Sequence, residues 1–218
     1  MKINKLLLGG IAAVLVVLFL VGANWYRGRQ TTIAEDVAND AAETGSALLV
    51  RPYSPTQGPS MARVTLVEFF DPECESCRAM YPIVKQVMAE FDGRVKLVIR
   101  YMPLHQNSTY AASLLEAARA QNKYWEFLEI VMFRQPEWAS HQAPRPELLI
   151  TYAPQVGLDP EQLRMAATDP EILARIKQDQ SDGEALGADK TPTFFVNGKP
   201  LLELGYPPLR AAIQAALQ

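Results

Sequence analysis

The two cysteines of the 218-residue chain, Cys74 and Cys77, are separated by two residues and stand where a strand-like run gives way to a helix-like one. That junction restricts the fold more than any other stretch. Residues 62–70 are dense in β-branched and aromatic side chains and read as a buried strand, whereas Met80, Ile83, Val84, Val87, Met88 and Phe91 recur at helical spacing. A cysteine on the first helical turn meets backbone N–H groups that lack partners within the helix, which favours a thiolate at Cys74. The strand therefore delivers a dithiol onto a helix N-terminus.

Three chemistries use such a pair. A structural zinc site needs about four ligands, and the only two histidines, His105 and His141, lie too far apart for a His-x₃₋₅-His arrangement, so no metal is expected. A purely structural bridge would close too small a loop to stabilise much. Redox exchange remains, with the Cys74–Cys77 disulfide as the reactive group and no metal or organic cofactor required. The net charge of −3 comes without a basic block, which leaves no electrostatic footprint for nucleic acid.

Lys2 and Lys5 precede an uncharged run at 6–23, followed by Trp25, Tyr26, Arg27 and Arg29. A cleaved signal has an apolar region of roughly 7–15 residues and a spanning helix needs roughly 20, so the run reads as a retained, N-in membrane anchor. Small residues Val21 and Ala23 leave a cleaved signal as the alternative. Either reading exports the rest.

Downstream, 47–50 is a candidate first strand and Pro52, Pro55, Gly58 and Pro59 form a rigid loop into the strand at 62–70. Pro82 interrupts the helix after the cysteines, and 95–101 is a second strand, giving a βαβ unit with parallel strands. From Asn107 to Gly187 the pattern is helical. Asn107 or Ser108, Asp159 and Asp169 are candidate caps, Gln162 is placed to complete a capping box, and Trp125, Phe127, Met132 and Phe133 are assigned to the core. Asn197-Gly198 between two apolar runs signals a hairpin, hence an antiparallel edge on an otherwise parallel sheet, before a final helix.

Glu68 and His105 each have two readings. Glu68 is an edge-strand charge facing water, or a partly buried carboxylate that exchanges a proton during thiol exchange. His105, at the end of the second strand, is a polar loop residue or a group that tunes the dithiol.

Phe-Phe-Asp-Pro-Glu-Cys-Glu-Ser-Cys after a strand, Pro82, a helical insertion, and Thr191-Pro192-Thr-Phe-Phe-Val-Asn-Gly together resemble the thioredoxin superfamily, and within it the exported DsbA-like thiol–disulfide oxidoreductases. The resemblance implies an α/β, thioredoxin-like fold with a mixed sheet and an inserted helical domain, preceded by an N-terminal transmembrane helix. Its parts would be an anchor at 1–26, a linker at 27–46, a first thioredoxin-like part with the Cys-x-x-Cys at 47–106, the helical insertion at 107–187, and a second part at 188–218. Carried across, Cys74 matches the attacking cysteine, Cys77 the buried resolving cysteine, Glu68 the buried acid, Pro192 the cis-proline beside the dithiol and Thr191 the residue before it, which faces a peptide substrate. Strongly oxidising members usually carry a histidine before the second cysteine. Here Glu75 and Ser76 stand between the cysteines, and an acid there opposes a thiolate while the helix terminus favours one.

The function this implies is donation of a disulfide to cysteine-containing exported proteins. Re-oxidation would come from a DsbB-like, quinone-linked membrane oxidase. The chain would sit in the bacterial inner membrane by a single pass, its catalytic domain in the periplasm or extracytoplasmic space. A reductase or isomerase kept reduced by a membrane partner is the alternative, and a non-catalytic binding module a lesser one.

Overall fold

The computed structural model describes residues 47–218, together with Trp25, Arg29 and Gly45. Ser46–Gln218 is one compact unit. Those isolated positions apart, the anchor and linker expected at 1–46 lie outside the described residues, and among the described residues no helix is long and apolar enough to cross a membrane.

Five strands, β1 (Thr56–Gln57), β2 (Val64–Phe70), β3 (Val95–Tyr101), β4 (Thr193–Val196) and β5 (Lys199–Pro200), form one sheet in the order β1-β3-β2-β4-β5. The central strand β2 runs parallel to β3 and antiparallel to β4, so the sheet has a single parallel pair and is not parallel with one reversed edge. The reversal positions the site. Because β4 starts opposite the end of β2, with Thr193 paired to Phe69, the Thr191–Pro192 segment arrives at the end of the sheet that carries the cysteines.

Helix α1 (Glu75–Glu90) follows β2 and passes through Pro82 without ending, one lost backbone hydrogen bond being too small a defect to break a helix packed on the sheet. Between β3 and β4 lie α2 (Ser108–Arg119), α3 (Tyr124–Phe133), the short α4 (Gln135–Trp138), α5 (Leu148–Tyr152) with a 3₁₀ turn at Ala153–Val156, α6 (Pro160–Ala166) and α7 (Pro170–Ala185). The chain ends in α8 (Tyr206–Ala216).

Residues 47–49 are helical, not a strand. Leu49 is buried on the sheet, and the Leu48 carbonyl accepts from the Arg100 guanidinium, so a side chain serves the backbone where a neighbouring strand would. Asp159 and Asp169 cap α6 and α7 by accepting from the N–H groups of Glu161 and Gln162, and of Glu171. The capping box fails: the Asp159 N–H donates to Gln121 Oε1 at 2.9 Å, which leaves Gln162 no role there. Asn107 occupies the position before α2 without capping it, because its side chain donates to Glu73.

Strand alternation divides the core. Val64, Leu66 and Phe70 of β2 join Val84 and Val87 of α1 and the helical insertion on one face, while Val67 and Phe69 pack with Val98, Met102 and Phe195 on the other. Phe127 and Met132 are buried in the insertion and Trp125 packs partly against it, but Phe133 is 81% exposed and lines an open groove with Tyr81, Pro82 and Ile130. At the end of α3 its side chain points away from the layer that Phe127 and Val131 bury. On the second face Arg100 is fully buried, bonding Asp179 at 2.8 Å and Asp182 at 2.5 Å, which pins α7 beneath the sheet.

Candidate functional site

Cys74 occupies the capping position of α1 with extended backbone angles, and Cys77 lies one turn in. Cys74 is 8% exposed and Cys77 is fully buried. The Cys74 thiol is drawn down to about 5, first by the Cys77 thiol donating to its sulfur. Burial works against this, while Thr191 and the backbone N–H groups of Cys77 and Ser76 add to it. Burial, and the bond it gives to Cys74, push Cys77 well above its ordinary value. One sulfur is therefore a stable thiolate and the other holds its proton.

The Thr191–Pro192 peptide bond is cis, and the Thr191 carbonyl oxygen stands 3.3 Å from Cys74 Sγ, where it accepts from the thiol form. Glu68, 4% exposed on the central strand, points to the same face as Leu66 and Phe70 and is no edge charge. Burial first, and the charge of Cys74 second, raise its carboxyl to about 8. It lines a cavity of about 160 Å³ together with Tyr81, Lys85, Trp125 and Glu129.

Glu75 and Ser76 are both exposed. Glu75 reaches outward to His141, 3.3 Å from its Nε2. Cys74 is lowered on balance, chiefly by Cys77, with the N–H groups of the helix terminus adding to it. His105 lies 2.7 Å from Asp71 through Nδ1, in the loop after β3, and the structure brings it to the dithiol's turn. His141, given no role from sequence, has its ring 6.2 Å from that of His105.

Three residues were missed. Asp71 is fully buried and its carboxylate accepts from the N–H groups of Glu73 and Leu104, both at 2.8 Å. Glu73 accepts from the Asn107 backbone and side chain, at 2.6 and 2.9 Å. Gln135 of α4 donates to the carbonyls of Pro72 and Cys74, at 2.8 and 2.9 Å, and accepts from Arg78 Nε at 3.1 Å. The signal for the acids was their position: two carboxylates in the turn that enters the helix must find hydrogen-bond donors if they are buried. Gln135 carried no such signal.

A thioredoxin family model matches residues 51–215. The Na⁺/H⁺ antiporter NhaA of Herminiimonas arsenicoxydans is 37% identical over 145 residues, which take in 66% of this chain and 22% of that protein. The chain thus spans about a quarter of the length of the curated relatives it matches. Among solved structures, a thioredoxin-like oxidoreductase from Silicibacter pomeroyi is 32% identical with a TM-score of 0.68, covering 78% of this chain and 96% of that one. Oxidised BdbD from Bacillus subtilis is 25% identical with a TM-score of 0.69, covering 76% and 93%. The thiol-disulfide exchange protein α-DsbA2 from Wolbachia pipientis has the same fold, at 20% identity and a TM-score of 0.69 over 84% and 97%.

Proposed function

We propose a direction of electron flow for this chain, which belongs to the thioredoxin family and is a DsbA-like protein disulfide oxidoreductase working through a redox-active disulfide: it oxidises its substrates. The observation that carries the reading is the Cys74 thiol held at about 5. A stabilised thiolate favours the reduced form of the pair, which makes the disulfide a strong oxidant.

In this reading a substrate thiolate attacks Cys74 Sγ, the Cys74–Cys77 bond breaks, and Cys77 leaves with the bonding electrons. Cys77 needs a proton at that moment, and Glu68, whose carboxyl is pushed up by burial, is a buried acid on that face that can supply one. A second substrate thiolate then attacks the substrate sulfur of the mixed disulfide, forming the substrate's disulfide and expelling Cys74. The low Cys74 pKa makes it a good leaving group. Two electrons have passed from substrate to protein. The backbone of Thr191 borders the sulfur under attack and is placed to hold an extended peptide, with Pro192 behind it.

The substrates in this reading are cysteine-containing exported proteins, and a quinone-linked, DsbB-like membrane oxidase restores the disulfide. The apolar run at 6–23 supports a single-pass anchor in a bacterial inner membrane, with the catalytic unit outside the cytoplasm. An acid at Glu75 opposes a thiolate and favours the reductase alternative; its turn toward His141, together with the low Cys74 pKa, supports oxidation instead.

The test is the reduction potential of the full chain in glutathione buffers. Donation calls for a value nearer the about −120 mV of a strong disulfide donor than the about −270 mV of a reducing thioredoxin. A value at the lower end reverses the proposed direction.

A further inference from the structure

Asp71 and His105 take no part in the exchange steps above, yet Asp71 touches both cysteines. Its carbonyl accepts from the Cys74 N–H at 3.2 Å and its N–H donates to Cys77 Sγ at 3.5 Å. The carboxylate of the same residue holds His105 Nδ1 at 2.7 Å, and the His105 N–H donates to Ser108 Oγ at 3.1 Å, so both main chain and ring are fixed. With Nδ1 committed to a buried carboxylate, Nε2 is the nitrogen left to gain or lose a proton, and the side chain is 32% exposed, enough to reach solvent.

The charged groups around this imidazole come from three elements. The turn between β2 and α1 supplies Asp71, Glu73 and Cys74, the 139–147 loop supplies His141, and Glu75 at the start of α1 lies beyond His141. Burial works against a proton on His105, but Asp71, the Cys74 charge and Glu73 outweigh it and raise its pKa. Of these, the Cys74 charge alone depends on redox state. It exists in the dithiol form and vanishes in the disulfide.

We infer that Asp71 holds His105 as a redox-linked proton site, whose imidazole takes up a proton when the Cys74–Cys77 disulfide is reduced and returns it when the disulfide re-forms. The inference rests on exchange at these two cysteines and not on its direction. Reduction breaks the S–S bond, places two electrons from the substrate dithiol on the two sulfurs and one proton on Cys77. In the pH range where His105 is otherwise neutral, a second proton enters from solvent at Nε2 and balances the Cys74 thiolate. His105 acts here as a positioning residue through its charge.

The experiment follows the His105 imidazole by NMR across a pH titration of the full chain, oxidised and reduced. Since the chain has two histidines, His141→Gln leaves a single imidazole to follow. The inflection is expected higher in the reduced form by roughly 0.5–1 pH unit, the effect of one nearby charge on a partly exposed group. The reduction potential of the His141→Gln protein is expected to fall more steeply with pH between the two inflections, and that extra slope to disappear in the double variant carrying His105→Gln. Equal inflections in the two redox states, or an extra slope that survives His105→Gln, overturn the inference. The titration uses a chain with His105 intact, so it decides the matter even if His105→Gln fails to fold. An absolute potential at the reducing end would refute oxidation as the direction while leaving this coupling standing.

Discussion

Replacing Cys77 by alanine asks what holds the Cys74 thiolate. Foremost among the influences that bring Cys74 to about 5 is the Cys77 thiol donating to its sulfur, with the N–H groups of Ser76 and Cys77 behind it. A hydrogen bond to a charged group is worth about 1.5–3 kcal/mol. Since about 1.4 kcal/mol moves a pKa by one, Cys77→Ala is expected to titrate about 1–2 pH units above the wild-type value. Cys77→Ser keeps a donor at that position and is expected to stay nearer the wild type. The assay is ultraviolet absorbance of the thiolate against pH, checked by the pH dependence of alkylation. Only the inflection is diagnostic in the second method. At neutral pH both proteins are already largely thiolate, and a Brønsted coefficient of about 0.4–0.5 makes the sulfur of higher pKa the stronger nucleophile, so the rate itself does not follow the thiolate fraction. If Cys77→Ala titrates where the wild type does, Thr191 and the helix terminus sustain the thiolate and the sulfur–sulfur hydrogen bond contributes nothing.

Three further outcomes are expected. Glu68 keeps its proton in the fold between its ordinary 4.5 and about 8, so its burial costs stability progressively as pH rises through that window and fully above it. Glu68→Gln in the oxidised protein, where the Cys74 charge is absent, is therefore expected to gain a few kcal/mol (about 2–4) in urea melts at pH 8.5 and little near pH 4.5, at about 1.4 kcal/mol per pH unit; equal gains at both would refute the burial. Arg100→Met strands Asp179 and Asp182 beneath the sheet and is expected to cost about 3–5 kcal/mol by denaturant unfolding, where a loss under about 1 kcal/mol would mean the network is not the clamp it looks. Gly58→Ala would place a Cβ 2.3 Å from the Val95 carbonyl oxygen at a φ of +96°, whereas Gly93→Ala at +73° meets open space; the first is expected to lower stability by about 2 kcal/mol or more and the second by about 1 kcal/mol, and the reverse order in the same melts would show the contact is relieved cheaply.

The sheet and the dithiol were legible because their signals are local. The density of β-branched and aromatic side chains in 64–70, the cysteine spacing, and Asn197-Gly198, with φ of 45° and 81° in the observed turn, need no knowledge of the rest of the chain. The direction of β4 was not local, since either hand of return from an insertion suits the same residues. Glu68 shows where legibility stops. An acid between Val67 and Phe69 is ambiguous until β2 is known to be covered on both edges, by β3 and β4. Phe133 and Gln135 fail in opposite ways, one an aromatic left in solvent and the other an amide buried against the cysteine turn, and both follow from where α3 stops. The Asp71–His105 pair joins positions in separate loops, and only the parallel return from β2 to β3 brings them to one end of the sheet.

Gln135 bears on how this kind of protein diversifies. Its amide fastens the carbonyls of Pro72 and Cys74 to a helix inside the 107–187 segment, so the insertion contributes to the backbone of the reactive turn itself. A graft of that segment from another protein that brought an apolar residue to position 135 would leave the Pro72 carbonyl without this donor and the Cys74 carbonyl with the Arg78 N–H alone, however well its apolar face matched the sheet. Recombination at this boundary is thus coupled to a single side chain, and the helical module and its host inherit together.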